Sequence, residues 1–149
     1  MTKPSTSERI EIEWTCTHLT HRFAQLLDAR DFEPLTALFA RNGALFRPSA
    51  PDDPIVGHAA ILAAYRARPG GKVTQHFITN TVVTVDNTEQ AHGVCYIQLY
   101  SAVPNHGSAE PPKADPIHSL GHYHDRFIKE DGVWKFLERR GSISMTVGG

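Results

Sequence analysis

The sequence predicts a single α+β domain in which three N-terminal helices pack on one face of a curved, mainly antiparallel sheet. Two observations predict this class. Apolar residues recur every three or four positions in the first half of the chain, which is the period of helices. In the second half they recur at every second position, which is the period of strands. The 149 residues amount to one domain's worth of chain, so we assign residues 1–149 to one domain without a linker.

The helices are predicted from their apolar stripes and their end signals. Ser5 and Glu8 have the spacing of a capping box at the start of the first helix. Residues 1–7 are expected to form a flexible N-terminal tail. Asp31 is placed to cap the second, short helix. The predicted helices are residues 5–30, 32–39 and 57–68.

The sheet is predicted from long runs rich in Val, Ile, Thr and aromatic residues. The Pro- and Asp-rich segment 48–54 is expected to be a bend. Residues 103–117 contain four prolines and a glycine, which favours a mobile loop. The predicted strands are residues 44–47, 73–85, 91–102, 118–129 and 133–147.

Charge and composition exclude several classes of partner. Fifteen Lys+Arg against sixteen Asp+Glu give a net charge of −1, which supplies no field for a phosphate backbone, so no nucleic-acid partner is expected. No apolar run approaches the roughly 20 residues that cross a membrane, so no membrane partner is expected either. Cys16 and Cys95 are the only thiols, and no secretion signal is seen. They are expected to be buried and reduced, in a cytoplasmic protein.

Five stretches, in family order, carry a resemblance over nearly the whole chain. They are FAQLLDARDFEPLTALF at 23–39, GHAAI at 57–61, HFITN at 76–80, GHYHDRF at 121–127 and DGVWKFLER at 131–139. Together they resemble SnoaL-like proteins of the nuclear transport factor two-like superfamily, which include scytalone dehydratase and bile-acid dehydratase relatives. The resemblance implies a cone-shaped α+β barrel around a pocket, and a homodimer formed through the outer sheet face. It leaves the reaction open, because the superfamily contains several enzyme classes and non-catalytic members.

Asp28 and His76 are the central catalytic candidates. The resemblance implies that Asp28 is the helix-end aspartate and His76 the strand histidine of the family's dehydratases. A carboxylate that fixes the tautomer of an imidazole and raises its basicity lets the ring move a proton between carbon and a leaving hydroxyl. By strand alternation, His76 shares a face with Ile78, Asn80 and Val82. The alternatives are that Asp28 only caps the helix corner and that His76 is a hydrogen-bonded core histidine.

Three further residues are catalytic candidates. The resemblance implies pocket tyrosines that polarise a substrate carbonyl, but near Asp28 this chain offers Leu27 and Phe23, neither of which has a hydroxyl group. The remaining candidates for that role are Tyr65, Tyr96, Tyr100 and Tyr123, of which Tyr96 and Tyr123 are assigned as catalytic. Asp125 shares a face with Tyr123, and on the concave side it would replace or supplement Asp28 as the acid. On the other side it would be a solvated or interface charge.

The remaining predictions concern substrate binding, metal binding and the need for a cofactor. The substrate-binding candidates are Phe23, Leu27, Phe46, Tyr65 and Asn80, although Asn80 could instead hold the backbone. His118, His122 and His124 share one strand face with the His-x-His spacing of some zinc sites. Neither an HExxH helix nor a cysteine pair accompanies them, so we expect no metal and no cofactor. These histidines could equally lie at an oligomer interface.

The function predicted from these residues is general acid–base catalysis, of dehydratase or isomerase type and without a cofactor. The substrate would be a small, largely apolar, oxygenated ring compound held in an enclosed pocket. The alternative is a non-catalytic module that binds a small molecule or dimerises. A weaker third interpretation is a scaffold subunit that resembles the small subunit of ring-hydroxylating dioxygenases.

Overall fold

The structure is a computed structural model that describes residues 2–149. Met1, the first residue of the predicted tail, lies outside the described residues. The elements are α1 (Thr6–Asp28), α2 (Phe32–Thr36), β1 (Phe39–Arg47), β2 (Ala50–Val56), α3 (His58–Arg66), β3 (Val73–Val85), β4 (Gln90–Ala102), β5 (His118–Glu130) and β6 (Val133–Val147). The predicted α+β class, with helices packed against a curved and mostly antiparallel sheet, is confirmed.

α1 and α3 form within two residues of their predicted bounds, whereas α2 ends at Thr36, three residues before its predicted end. At the start of α1 the Ser5 amide donates to the Glu8 carboxylate at 2.8 Å, and the Glu8 amide donates to the Ser5 hydroxyl at 3.3 Å. This is the predicted capping box. Asp31 precedes α2 as expected, but its side chain makes no capping hydrogen bond, which corrects its predicted role.

The six strands form one sheet in the order β2-β1-β6-β5-β4-β3. The β1–β6 pair is parallel and the other pairs are antiparallel. β1 begins at Phe39, five residues before its predicted start, and the predicted bend over 48–54 contains most of β2. β2 tolerates its prolines because it lies at the edge of the sheet, where an amide can be missing without breaking a ladder on both sides.

A bulge in β3 changes which residues face the helices. The pairing with β4 shifts between Thr79 and Val82, and Asn80 adopts a positive φ of 51°. One extra residue in a strand exchanges its two faces beyond that point. Val82 is therefore exposed, and the prediction that Asn80 and Val82 share the face of His76 is wrong.

The core lies between the helices and the inner face of the sheet. Its fully buried members include Cys16, Phe23, Phe39, Cys95 and Phe136. Both cysteines are free and buried, as the sequence predicts, and burial raises the pKa of Cys16 to about 12 and of Cys95 to about 11. Among residues 2–149, no helix combines the length and the apolar character that crossing a membrane requires.

The outer face of the sheet exposes apolar side chains, among them Phe77, Val82, Tyr96 and Met145. This is the face through which the resemblance implies a homodimer, and the homodimer stays a prediction. Residues 103–117 form no helix or strand, and Asp115 ties this loop to the sheet through Lys72 and Ser101. The predicted mobility of the loop also stays a prediction.

Candidate active site

The structure brings Asp28 and His76 together, although 48 positions separate them in the sequence. Nδ1 of His76 lies 2.5 Å from Oδ1 of Asp28, and the backbone amide of His76 donates to Oδ2 at 2.8 Å. The hydroxyl of Thr74 donates to Oδ1 at 3.0 Å. Both side chains are sheltered, with 7% of His76 and 19% of Asp28 exposed. Three donors therefore converge on one carboxylate.

Local backbone geometry explains why Asp28 reaches the strand. α1 ends at Asp28 because Arg30 takes a left-handed conformation with φ of 55°. The amide of Asp31 then donates to the carbonyl of Leu26, and that of Arg30 to the carbonyl of Leu27, which is a Schellman end. The guanidinium of Arg30 also donates to the carbonyls of Arg68 and Pro69. The end of α1 is therefore fixed to the end of α3.

The sheet supplies the other half of the contact. β3 is an edge strand, so amides on its free side have no strand partner. The carboxylate of Asp28 accepts from one of these amides, that of His76, and from the side chains of Thr74 and His76. Thr74 and His76 lie two positions apart, so their side chains share the face toward α1.

The contact fixes the tautomer of the imidazole. A carboxylate can only accept hydrogen bonds, so Nδ1 of His76 carries the proton and donates it to Asp28. The other ring nitrogen, Nε2, is then free to accept a proton from a molecule in the adjoining cavity. This is the arrangement that a histidine general base needs.

His76 lines a cavity of about 280 Å³. This volume lies close to the roughly 300 Å³ lower limit of small-molecule pockets. Apolar side chains such as Leu45, Ile97 and Leu99 form much of its wall. Four of the predicted site residues also line it, namely Leu27, Phe46, Tyr65 and Tyr123.

Tyr65 and Tyr123 contribute the phenolic hydroxyls of the cavity lining. Burial raises the pKa of both phenols above the usual value, so both hydroxyls keep their proton at neutral pH. A protonated phenol can donate a hydrogen bond to a carbonyl oxygen. Tyr123 therefore lies where the sequence analysis expects a carbonyl-polarising residue, and Tyr65 offers the same group from α3.

Besides Asp28, which contacts the lining residue His76, four predicted site residues lie outside the cavity lining. Tyr96 points from the outer face of β4, is 48% exposed and packs edge-on against the ring of His122, because strand alternation turns Cys95 and Ile97 inward instead. Asn80 is exposed at the bulge of β3. Phe23 is buried below the lining, against the rings of Tyr65 and Tyr123. These placements correct the expectation that Tyr96, Asn80 and Phe23 contact the substrate.

Asp125 is the fourth of these residues. It lies on the inner face of β5, but it is buried in the core with Arg139 and does not reach the cavity. A nitrogen of Arg139 lies 3.5 Å from its carboxylate, and the guanidinium carbon lies 3.6 Å from the ring centre of Tyr123. Burial raises the pKa of Asp125 to about 6, and the charge of Arg139 opposes this rise. Asp125 is neither a substitute for Asp28 nor a solvated charge, which corrects both sequence interpretations.

The three histidines of β5 lie away from the dyad. His118 stacks on Tyr100, and His122 accepts or donates a hydrogen bond with Ser144 at 2.8 Å. Across residues 2–149, no group of three His, Cys, Asp or Glu side chains is arranged to hold a metal ion.

Sequence reasoning missed Thr74, Arg47 and Arg68. Thr74 contacts Asp28, whereas both arginines line the cavity. Thr74 could have been found, since strand alternation places residue i−2 on the same face as His76. The arginines carry no comparable signal, because Arg47 ends β1 and Arg68 follows α3, and only the packing of these ends makes them neighbours of the cavity.

Comparison with known proteins gives a family and a fold. The SnoaL-like domain model matches residues 8–140. A protein assigned as a scytalone dehydratase from Novosphingobium aromaticivorans is similar in structure, with a TM-score of 0.77 and 19% identity over 97% of this chain and 92% of that chain. A type 2 hexachlorocyclohexane dehydrochlorinase, LinA, gives 0.79 and 16% identity over 97% and 93%.

A protein of unknown function from Mycobacterium tuberculosis gives a TM-score of 0.74 and 25% identity over 95% of this chain and 76% of that chain. No curated protein matches the sequence. The family model covers most of the chain, and the similar structures share the whole fold. The chain belongs to the SnoaL-like domain family.

Proposed function

We propose that this protein is an enzyme that eliminates water from, or moves a double bond within, a small and largely apolar oxygenated ring compound. The observation that carries the proposal is the His76–Asp28 pair at the wall of a cavity lined largely by apolar groups. Two of the similar structures bear the names of elimination enzymes, a dehydratase and a dehydrochlorinase, which supports an elimination.

The proposed reaction is a proton transfer at carbon. Nε2 of His76 takes a proton from the carbon beside a carbonyl group, and the electron pair left on carbon forms the new carbon–carbon double bond. The carbon–oxygen bond to the neighbouring hydroxyl breaks. The imidazolium returns its proton to that oxygen, which leaves as water. In an isomerisation the proton is returned to another carbon instead.

The surrounding residues support both charges that develop. Asp28 holds the ring and stabilises the imidazolium through the Nδ1 hydrogen bond. The hydroxyl of Tyr65 or Tyr123 donates to the carbonyl oxygen as it gains negative charge. General acid–base catalysis of this kind accounts for about 10²–10⁴-fold in rate.

The test uses 3-hydroxy-1-tetralone, a two-ring hydroxy ketone whose loss of water gives fluorescent 1-naphthol. We expect the wild-type protein to form 1-naphthol faster than buffer, and His76→Ala to lower kcat/KM by about 10²-fold or more. His92→Ala is the matched control, because His92 also pairs with an aspartate but lies exposed on the outer face. Turnover that is equal in His76→Ala and wild type, or no faster than buffer, would contradict the proposal.

The second candidate is a non-catalytic module that binds a small molecule. The observation that favours it is Leu27, which lines the cavity directly beside Asp28 and brings no hydroxyl group there. This candidate predicts that 3-hydroxy-1-tetralone shifts amide resonances of the cavity residues without forming 1-naphthol. Measuring both the amide shifts and the formation of 1-naphthol with this one compound therefore separates the two functions.

A further inference from the structure

The cavity carries two cations that the proposed reaction does not use. Arg47, at the end of β1, and Arg68, just after α3, both line it. The guanidinium of Arg68 lies 5.8 Å from the ring centre of Tyr65. Within residues 2–149, neither arginine forms a salt bridge with a carboxylate. Six other arginines do have such a partner. Among the described residues Arg22 and Arg30 also lack one, but neither of them lines the cavity.

No acidic side chain balances them in the wall of the cavity. The lining contains no Asp or Glu. Asp28, which contacts the lining residue His76, already accepts hydrogen bonds from Thr74 and His76. The whole chain has a net charge of −1, so the positive charge is a local property of this pocket. Unpaired arginines beside an apolar wall favour a ligand with an anionic group and an apolar body.

A third arginine lies behind the lining and does not change this conclusion. The guanidinium carbon of Arg140 lies 3.5 Å from the ring centre of Phe46, and Phe46 lines the cavity. Arg140 is 3.5 Å from Glu138, so its charge is offset by a neighbour. Arg47 and Arg68 remain the cations offered to a ligand.

We propose that the substrate is a carboxylic acid of one or two rings, whose carboxylate is bound by Arg47 and Arg68 while the rings contact the apolar wall. The planar fork of a guanidinium matches the two oxygens of a carboxylate. The cavity volume of about 280 Å³ limits the apolar body to about two rings. The inference rests on the proposed function, because it names the class of compound that is presented to His76.

The test compares acids with neutral amides of the same shape. Benzoate, benzamide, 2-naphthoate and 2-naphthamide are titrated into ¹⁵N-labelled protein at low salt, and Kd is taken from the amide shifts. We expect at least one acid to bind about tenfold more tightly than its amide, the effect of a charged hydrogen bond at a partly exposed site. We expect added salt to reduce this preference.

Two variants locate the effect. Arg47→Gln combined with Arg68→Gln is expected to abolish the preference for the acid and to leave amide binding within twofold. Arg66→Gln is the matched control, since Arg66 lies on α3 close to Arg68 in the sequence but pairs with Glu33 and does not line the cavity. It is expected to keep the preference.

Several outcomes would overturn the inference. They are equal affinity for each acid and its amide, no detectable binding of any of the four probes, or a preference that persists in the double variant. None of these measurements depends on turnover. A protein that prefers acids in wild type and in His76→Ala, but shows no His76-dependent turnover, would support this inference and contradict the proposed function.

Discussion

His76–Asp28 and His92–Asp86 are both histidine–aspartate pairs in which Nδ1 of the ring meets a carboxylate, at 2.5 Å and 3.0 Å. His92 and Asp86 lie six positions apart at the turn between β3 and β4, and 52% and 43% of their side chains are exposed. His76 and Asp28 come from different elements and are 7% and 19% exposed.

The difference between the two pairs is their surroundings. In water, a surface pair gains little free energy and its geometry is not fixed. The buried pair is held by two further hydrogen bonds to Asp28, and its ring borders a cavity. The same two side chains therefore border a cavity in one place and lie in contact with solvent in the other. Sequence proximity alone would favour the exposed pair.

The largest effect is expected when the carboxylate is removed from each of the two pairs in turn. We expect Asp28→Asn to lower kcat for 3-hydroxy-1-tetralone by about 10²-fold or more, because an amide does not stabilise an imidazolium and can select the wrong tautomer. We expect Asp86→Asn to change kcat by less than twofold. Steady-state kinetics with both variants checks this. An equal loss in both variants would contradict this prediction, because it would show that the location of Asp28 behind the cavity-lining His76 makes no difference.

A smaller effect is expected when Asp28 loses only the hydrogen bond that the Thr74 hydroxyl donates to it. Thr74→Val keeps the shape and the strand propensity of the side chain and removes the hydrogen bond to Oδ1. We expect kcat to fall by about tenfold with KM unchanged, since a hydrogen bond to a charged group contributes this much. Thr74→Ser should restore most of the rate. Loss of rate in Thr74→Ser to the same degree would indicate a packing effect instead.

The third prediction concerns stability instead of rate, at the Asp125–Arg139 pair, whose side chains are 1% and 0% exposed. The pKa of Asp125 in the fold is about 6, above its value of 3.8 in the unfolded chain, so the folded state binds more protons between these two pH values. Its contribution to the free energy of unfolding is therefore complete below pH 4 and is lost as the pH rises through 6. The total is about 3 kcal/mol.

Urea unfolding of wild type and Asp125→Asn from pH 4 to 7 measures this contribution. The amide imitates the protonated carboxyl group and does not titrate. We expect wild-type stability to fall relative to the variant as pH rises. Glu138→Gln, which alters a more exposed pair, is the control and should show little pH dependence. A wild-type advantage that grows with pH would mean that Arg139, and not burial, controls the pKa of Asp125.

Much of the fold could be predicted from periodicity. The bounds of β3 and β6 match the predictions, because β3 is rich in Val, Thr and Ile and both strands are bounded by turn residues such as Gly, Asp and Asn. β2 could not be predicted, since its prolines and aspartates have low strand propensity and only its place at the sheet edge admits them. The bulge at Asn80 could not be predicted either, because nothing else in the sequence indicates that this asparagine is left-handed.

The candidate site was predicted through family resemblance rather than through spacing. Nothing in the residues between Asp28 and His76 places the two side chains together. What could be inferred from the sequence was the order of elements, and the meeting of α1 with β3 depends on packing. The burial of Arg139 among aromatic rings likewise depends on tertiary contacts, which the neighbouring residues in the sequence do not indicate.

The bulge at Asn80 divides β3 into two segments whose side chains contact different parts of the molecule. Upstream, Thr74 and His76 serve the pocket; downstream, Val83 and Val85 pack against the core. The bulge lies between the two segments and exchanges the faces of the strand. The pattern of polar and apolar positions in one segment therefore does not have to continue in the other. A single strand thereby carries the proposed catalytic histidine at one end and residues that pack against the core at the other.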